Sequence, residues 1–328
     1  LYLQRFSFAI APGIVAWLRR VVKSSARNYL HGLQLTFTTN HGRQSDMNRR
    51  TFLNTAARGA VGGLGLAALN SANTAFAGKI SKVGLQLYTL RDQMQQDVEG
   101  TLARVAQLGY QEVEFAGYQN KTPQQIRDIL KKNGLTSPSA HFPLTSFGDK
   151  TEKVIGVAKT IGHNYIVCPW LDPSQRQSLD DYKRLAATLN KAGEACQKAG
   201  IQMAYHNHDF EFAPLDGKLP FDLLLAETDP KLVKIELDLY WITKAGHDPL
   251  AYFAKHPGRF PLVHVKDMDH TPQKGFTEVG RGTIDFKKIF AQSGKAGIKH
   301  YFVEQDQTPG SPFDSIKVSV DYLKQLTF

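Results

Sequence analysis

Short apolar runs recur eight times from residue 82 to the C-terminus, and their spacing limits the fold more than any other feature of the chain. They are "KVGLQLYTL" (82–90), "YQEVEFAG" (110–117), "LTSPSAHF" (135–142), "NYIVCPWL" (164–171), "IQMAYHNH" (201–208), "VKIELDLYW" (233–241), "FPLVHVKD" (260–267) and "HYFVEQD" (300–306). Near-continuous apolar runs of this length fit strands covered on both faces, as in a parallel sheet. Helical patterns separate them. In "DVEGTLARVAQLG", Val98, Leu102, Val105 and Leu108 share one face and Gly109 supplies the stop. "TPQQIRDILKKNG" opens on a Thr cap with Pro at the first helical position. "SLDDYKRLAATLNKAGEACQKAG" closes on Gly, and "DFKKIFAQSGKAG" reads as one further helix. Eight strand–helix repeats in the 251 residues from Gly78 to Phe328 predict an α/β fold, a single (β/α)8 barrel. A doubly wound open sheet would need a glycine-rich phosphate loop after an early strand, and none is present.

The chain ahead of Gly78 has a different texture. Met47 opens "MNRRTFLNTAARGAVGGLGLAALNSANTAFAG", with Arg49 and Arg50 as a basic region, a weakly apolar stretch from Ala56 to Leu69, and small residues at Ala75 and Ala77. These are the parts of an export signal. The paired arginines before Thr51, Phe52 and Leu53 resemble a twin-arginine (Tat) signal, which is read by a receptor and does not serve as a stable membrane anchor. The expectation is a signal peptide over 47–77, cleaved near Ala77 after engagement of the Tat export machinery, with a periplasmic barrel over 78–328. Residues 1–46 read either as upstream sequence translated from too early a start or as a membrane-touching leader. Gly63-Leu64-Gly65 imitates a dinucleotide fingerprint but has no strand before it and no acidic partner after it.

Charge follows the same division. Nine of the 40 Lys and Arg and one of the 30 Asp and Glu precede residue 78, which leaves 31 against 29, about +2. A near-neutral barrel argues against a nucleic-acid partner and for a small-molecule substrate. Cys168 ends an apolar run and Cys196 lies in a helical pattern, so both are expected as buried free thiols.

In a parallel barrel the carboxyl ends of all strands meet on one face, where the site is built. The polar residues closing the runs are Gln86 or Tyr88, Glu114, His141, Trp170, His206 with His208, Asp238, His264 with Lys266 and Asp267, and Glu304. Neighbouring strands lie about 4.8 Å apart, so His206, Asp238, His264 and Glu304, from strands five to eight, can converge on one point. Imidazole and carboxylate ligands without thiolate suit a divalent metal ion: Mn by preference, or Co, Zn or Mg. Asp238 reads as a ligand and not a helix cap, because Leu239, Tyr240 and Trp241 continue apolar. Lys266 would either stabilise an oxyanion or pair with Asp267.

With these motifs in view, the chain over 80–328 resembles the xylose isomerase-like TIM barrel superfamily, whose members are often labelled sugar phosphate isomerases/epimerases. The resemblance is carried by "YHNHDFEF", "ELDLYW", "VHVKD", "VGRGTIDF" and "FVEQD". Members similar to ketose epimerases hold a divalent metal through Glu, Asp, His and Glu on strands five to eight. Asp238, His264 and Glu304 fall on the last three positions, whereas His206 stands at the first Glu. Those epimerases use their two glutamates from opposite faces of the substrate, so this mechanism does not transfer unchanged.

The resemblance implies an isomerase or epimerase acting on a sugar or keto-sugar through a metal-stabilised enediolate. Glu304 would be ligand and base, Lys266 an oxyanion partner, and His208 and Glu114 proton shuttles. His141, Trp170, Tyr88, Trp241 and Arg281 would contact substrate, Arg281 from the one segment, "GRG" at 280–282, that could instead cradle a phosphate. Loss of a β-substituent from the same enediolate would make the protein a lyase, a dehydratase or a hydrolase of a 3-keto-glycoside. A non-catalytic sugar-binding barrel and a nuclease are the readings from other classes.

Overall fold

The computed structural model describes residues 78–328. The export signal, its cleavage site and the leader expected over 1–77 lie outside the described residues. Among the described residues, no helix is long and apolar enough to cross a membrane.

Eight parallel strands close into a barrel, as expected. They are β1 (Val83–Gln86), β2 (Glu112–Phe115), β3 (Thr136–His141), β4 (Tyr165–Cys168), β5 (Gln202–His206), β6 (Val233–Asp238), β7 (Leu262–Val265) and β10 (His300–Val303). Each pairs with its neighbour in sequence, and β1 closes the ring on β10 with Val83 opposite Tyr301 and Leu85 opposite Val303. Two short strands, β8 (Asp267–Met268) and β9 (Phe276–Thr277), form an antiparallel hairpin on the loop after β7.

The helices follow their start and stop signals. Thr122 and Gln125 build a capping box for the helix Pro123–Lys132, and Ser178 and Asp181 build one for Leu179–Lys198. Gly109 ends the helix Val98–Leu108 in the left-handed conformation. The single helix expected over 285–297 is instead two short ones, Phe286–Phe290 and Ser293–Ala296. The Ser293 hydroxyl donates to the Phe290 carbonyl at 2.6 Å and takes the acceptor a continuing helix would use. Cys168 and Cys196 are buried free thiols, as expected.

Side chains pointing inward fill the barrel in tiers. Tyr165, Val167, Ala204, Leu262 and Phe302 form an apolar plug below the polar residues. The Phe302 ring occupies the space a side chain at Gly84 would need; a methyl there would meet ring atom Cε1 at 2.7 Å. Gly84→Ala should therefore cost about 1–3 kcal/mol by overpacking, a fall in Tm of roughly 2–12 °C. Thermal melting measures it, and an unchanged Tm would show that the plug is loosely packed. By sealing one end of the barrel, the plug leaves the polar tier open only toward the carboxyl ends of the strands.

Candidate metal centre and substrate cavity

Alternation along the strands sets which side chains meet above the plug. On β6, Glu236 and Asp238 are two apart and both fully buried; on β7 the pair is His264 and Lys266, and past β10 it is Glu304 and Asp306. The segment "YHNHDFEF" repeats the pattern at the end of β5. His206 and His208 turn inward, and the Asn207 side-chain oxygen accepts from the Asp238 backbone N–H at 3.0 Å, tying β5 to β6. The His208 N–H is held by Glu211 at 2.8 Å, and Tyr205 donates to the same carboxylate at 2.6 Å. Burial pushes Glu211 up to about 7.

Two sets of ligand-type side chains share His264. In the deeper set, His141 donates to Glu236 at 2.8 Å and lies 3.1 Å from Glu114; His264 Nε2 lies 2.8 Å from Glu114 and 3.3 Å from Glu236. Gln86 also donates to Glu114 at 2.6 Å. Burial opposes charge on these rings, but the carboxylates of Glu114 and Glu236 outweigh it and raise His141 to about 9. His264 is raised in the same way by Glu236 and Glu304. His141 and His264 each have partners among these carboxylates, while Glu236 Oε1 is buried without a hydrogen-bond partner, so the deeper set is mostly satisfied from within.

The upper set is His206, Asp238, His264 and Glu304, whose ligand atoms lie within 4.8 Å of one another. These are the four metal ligands expected from the sequence, and they converge. The set is not self-satisfied. His206 Nδ1 and Asp238 Oδ2 are buried with no hydrogen-bond partner, although such atoms are ordinarily paired. His206 stands 3.6 Å from Glu236 and 3.9 Å from Asp238, beyond hydrogen-bond reach. Burial and then the positive charge of His264 keep its pKa low, so it offers a neutral imidazole. Burial likewise raises Asp238 to about 6, against the pull of Lys266.

Charge counting points the same way. Five carboxylates (Glu114, Glu236, Asp238, Glu304, Asp306) face the cations His141 and Lys266, and His264 is neutral when it acts as a ligand, which leaves three negative charges in a buried space. A divalent cation offsets most of that charge, and the donor set of nitrogen and oxygen fits Mn, Co, Zn or Mg. Partnerless atoms, excess negative charge and ligand chemistry thus all fit a metal ion.

Several expectations need correction. Asp238 does cap a helix: its Oδ1 accepts from the Trp241 N–H at 2.8 Å at the start of Leu239–Lys244, and the apolar residues that seemed to exclude a cap are that helix. One carboxylate oxygen caps and the other faces the metal ligands. Lys266 does not pair with Asp267. Its ammonium lies 2.7 Å from Glu304, 2.9 Å from Asp306 and 3.1 Å from Asp238. Asp267 points away, because strand alternation turns it outward, and accepts from the backbone N–H groups of Gly280 at 2.9 Å and Gly282 at 3.0 Å. The "GRG" segment therefore cradles an internal carboxylate where a phosphate had been considered. Arg281 projects outward with an exposed guanidinium, 3.8 Å from Glu278, and does not line the cavity.

A cavity of about 650 Å³ opens over the upper set. Tyr88, His141, Trp170, His208, Trp241, Lys266 and Glu304, all expected at the site, line it with His206 and Asp306. Glu114 does not; it lies beneath, fully buried, and reaches the cavity only through His141 and His264. His208 is neutral, since burial and then Lys266 bring it down to about 3. Glu304 is held well below the usual carboxylate range: burial would raise it, but Lys266 and His264 prevail. Sequence reasoning passed over Glu236 and Asp306, although each stands two residues from a named site residue on the same strand path, and that spacing was the signal.

Comparison with known proteins agrees with this architecture. The chain is 27% identical over 255 residues to an inosose dehydratase of Lacticaseibacillus casei, covering 66% of this chain and 85% of that protein. The crystal structure of a sugar phosphate isomerase/epimerase from Parabacteroides distasonis superposes with a TM-score of 0.65 at 29% identity, covering 77% of this chain and 96% of the other. The IOLI protein, solved with a zinc atom, shares the fold with a TM-score of 0.58 at 13% identity, over 73% of this chain and 95% of its own. The family described as xylose isomerase-like TIM barrel matches residues 102–326, more than half of the chain, and the protein belongs to that family.

Proposed function

We propose that the protein is a divalent-metal-dependent enzyme that removes the proton beside a carbonyl of a sugar or keto-sugar and returns it elsewhere, as an isomerase or epimerase. The observation that carries this reading is the buried upper set, with partnerless ligand atoms in a space of excess negative charge, at the floor of the cavity. A metal held by His206, Asp238, His264 and Glu304 would supply Lewis-acid polarisation of a substrate carbonyl.

The chain's own groups account for the proton. The Glu304 carboxylate is ionised at neutral pH and lines the cavity, so it can take the carbon-bound proton while the electron pair moves onto the carbonyl oxygen. Lys266 stays protonated because Asp238, Glu304 and Asp306 outweigh its burial, and its ammonium can donate to that oxygen. Protonation at the neighbouring carbon, or from the other face, releases an isomer or epimer. His208 and His141 are placed to hold or relay hydroxyl protons.

A second outcome is favoured by specific observations. His206 stands where an opposing glutamate would be, so the upper set lacks the second carboxylate of a two-base epimerase, and inosose dehydratases are among the relatives. Departure of a β-substituent with the electron pair, protonated as it leaves, would give an unsaturated ketone. Proton NMR of a keto-sugar panel in D2O with added Mn²⁺ separates the outcomes. A deuterated isomer supports the first, and an enone with its ultraviolet absorbance the second. Glu304→Gln should lower either rate about 10²–10⁴-fold; an unchanged rate removes Glu304 from the role of base. Neither a deuterated isomer nor an enone from any substrate would favour a non-catalytic binding barrel. Export to the periplasm by the twin-arginine route belongs to the same proposal, and its test is cell fractionation with the Arg49 and Arg50 pair replaced by lysine.

A further inference from the structure

The large exposed hydrophobic side chains of the described residues are Tyr88, 45% exposed, and Trp170, 43% exposed. Both line the cavity over the upper set, with His206 buried at its floor. Two exposed aromatics are unremarkable on a surface; two at the mouth of the same polar cavity call for a ligand.

Trp170 is also held in place. Its ring packs perpendicular to His208 (centroids 4.8 Å apart, 85°) and to Phe210 (5.2 Å, 90°), and the Arg176 guanidinium lies 5.0 Å from its centroid and 3.6 Å from that of Phe210. These contacts grip the ring by edge-to-face packing, and among the described residues none of its aromatic neighbours lies parallel to it. Tyr88 is braced by Arg91 at 4.7 Å. Fixed rings that have a guanidinium over one face and stay exposed elsewhere are suited to stack on the apolar face of a sugar.

Trp170 packs on the metal-ligand rings only through His208. His208 stands 4.9 Å from His206, and Trp170 a further 4.8 Å from His208. Trp170 is therefore one ring beyond the position next to the ligands. That inner position already has its own aromatic wall: Trp241, half-buried and 5.4 Å from the Lys266 ammonium. A cavity of 650 Å³ also exceeds what a single six-carbon ring fills and lies well inside the range for larger ligands.

We infer that the cavity holds two rings: a reacting sugar over the upper set and a second ring, the other half of a glycoside, between Trp170 and Tyr88. The inference rests on the sugar reading of the site and deepens it from a free monosaccharide to a glycoside. The second ring binds by stacking and takes no part in the proton transfer.

The test is equilibrium binding to the Mn²⁺-loaded protein, with glucose as the one-ring probe and cellobiose and maltose as two-ring probes. Isothermal titration is paired with acrylamide quenching of tryptophan fluorescence. At least one two-ring probe should bind tenfold or more tighter than glucose and shield Trp170 from acrylamide. Trp170→Ala should erase that preference, and Tyr88→Ala should reduce it; both residues are exposed, so neither variant threatens the fold. Equal affinity for one and two rings, a preference that survives Trp170→Ala, or no binding of any probe would overturn the inference. None of these readouts needs turnover, so failure of the proton chemistry in D2O and failure of the second subsite are separate results.

Discussion

Asp238→Ala should abolish metal binding and, with it, turnover. The residue has two roles that the substitution would remove together: Oδ2 faces His206, His264 and Glu304 as a proposed ligand, and Oδ1 caps the helix Leu239–Lys244. Loss of groups that merely support metal ligands costs 10–100-fold in affinity, so loss of a ligand should cost about 100-fold or more. Elemental analysis should find about one Mn, Co, Zn or Mg per wild-type chain and almost none in the variant. Loss of the cap costs about 1 kcal/mol by itself. Asp238→Asn separates the two functions, because asparagine caps as well as aspartate but brings no charge to the metal. It should keep the stability of the helix and still lose the ion. Undiminished metal in both variants would exclude Asp238 as a ligand and leave the polar tier as a sugar-binding rim.

Lys266→Met should make the fold depend on metal. The ammonium is 1% exposed and is shared by Asp238, Glu304 and Asp306 at 2.7–3.1 Å. Removing one partner of a buried ion pair costs about 3–5 kcal/mol, because the charge left behind has neither water nor a counter-ion. Here three carboxylates would lose their shared cation, so the metal-free variant should melt far below the wild type in EDTA. A divalent ion replaces much of the missing charge, so saturating Mn²⁺ should recover most of the loss, and the gap between Tm with and without metal should widen. Turnover should fall even in the loaded variant, since Lys266 is the proposed donor to the substrate oxygen. Equal destabilisation with and without metal would mean that the lysine and the ion do not share these carboxylates.

Much of this was readable from the chain. The eight apolar runs and their helical spacers predicted the barrel, and the polar residue at the end of each run marked the face with the cavity. This works because strand ends in a parallel barrel all point one way, so a one-dimensional list of run ends becomes a ring in space. His206, Asp238, His264 and Glu304 were found by that logic, and the structure brings them together. The logic was weakest where one rule was applied and its companion was not. Asking only which residue ends a strand finds Asp238 and Glu304; continuing the alternation by two also finds Glu236 and Asp306.

Other features had no counterpart in the sequence. Nothing in "VHVKD" says whether Lys266 pairs with Asp267 beside it or with Asp238, Glu304 and Asp306; neighbours on a strand face opposite ways, and only the closed barrel brings the distant three within 3.1 Å. Nor does "GRG" reveal that its N–H groups are already taken by Asp267. The sequence by itself determined the kind of barrel, the end where the polar side chains gather and the types of candidate ligand there, because these depend on periodicity and residue chemistry along the chain. Only the tertiary structure decided which charges pair, which ligand atoms are left without partners, and how deep the cavity runs from Asp238 to Trp170. Those depend on distances across the barrel, and residues far apart in sequence set them.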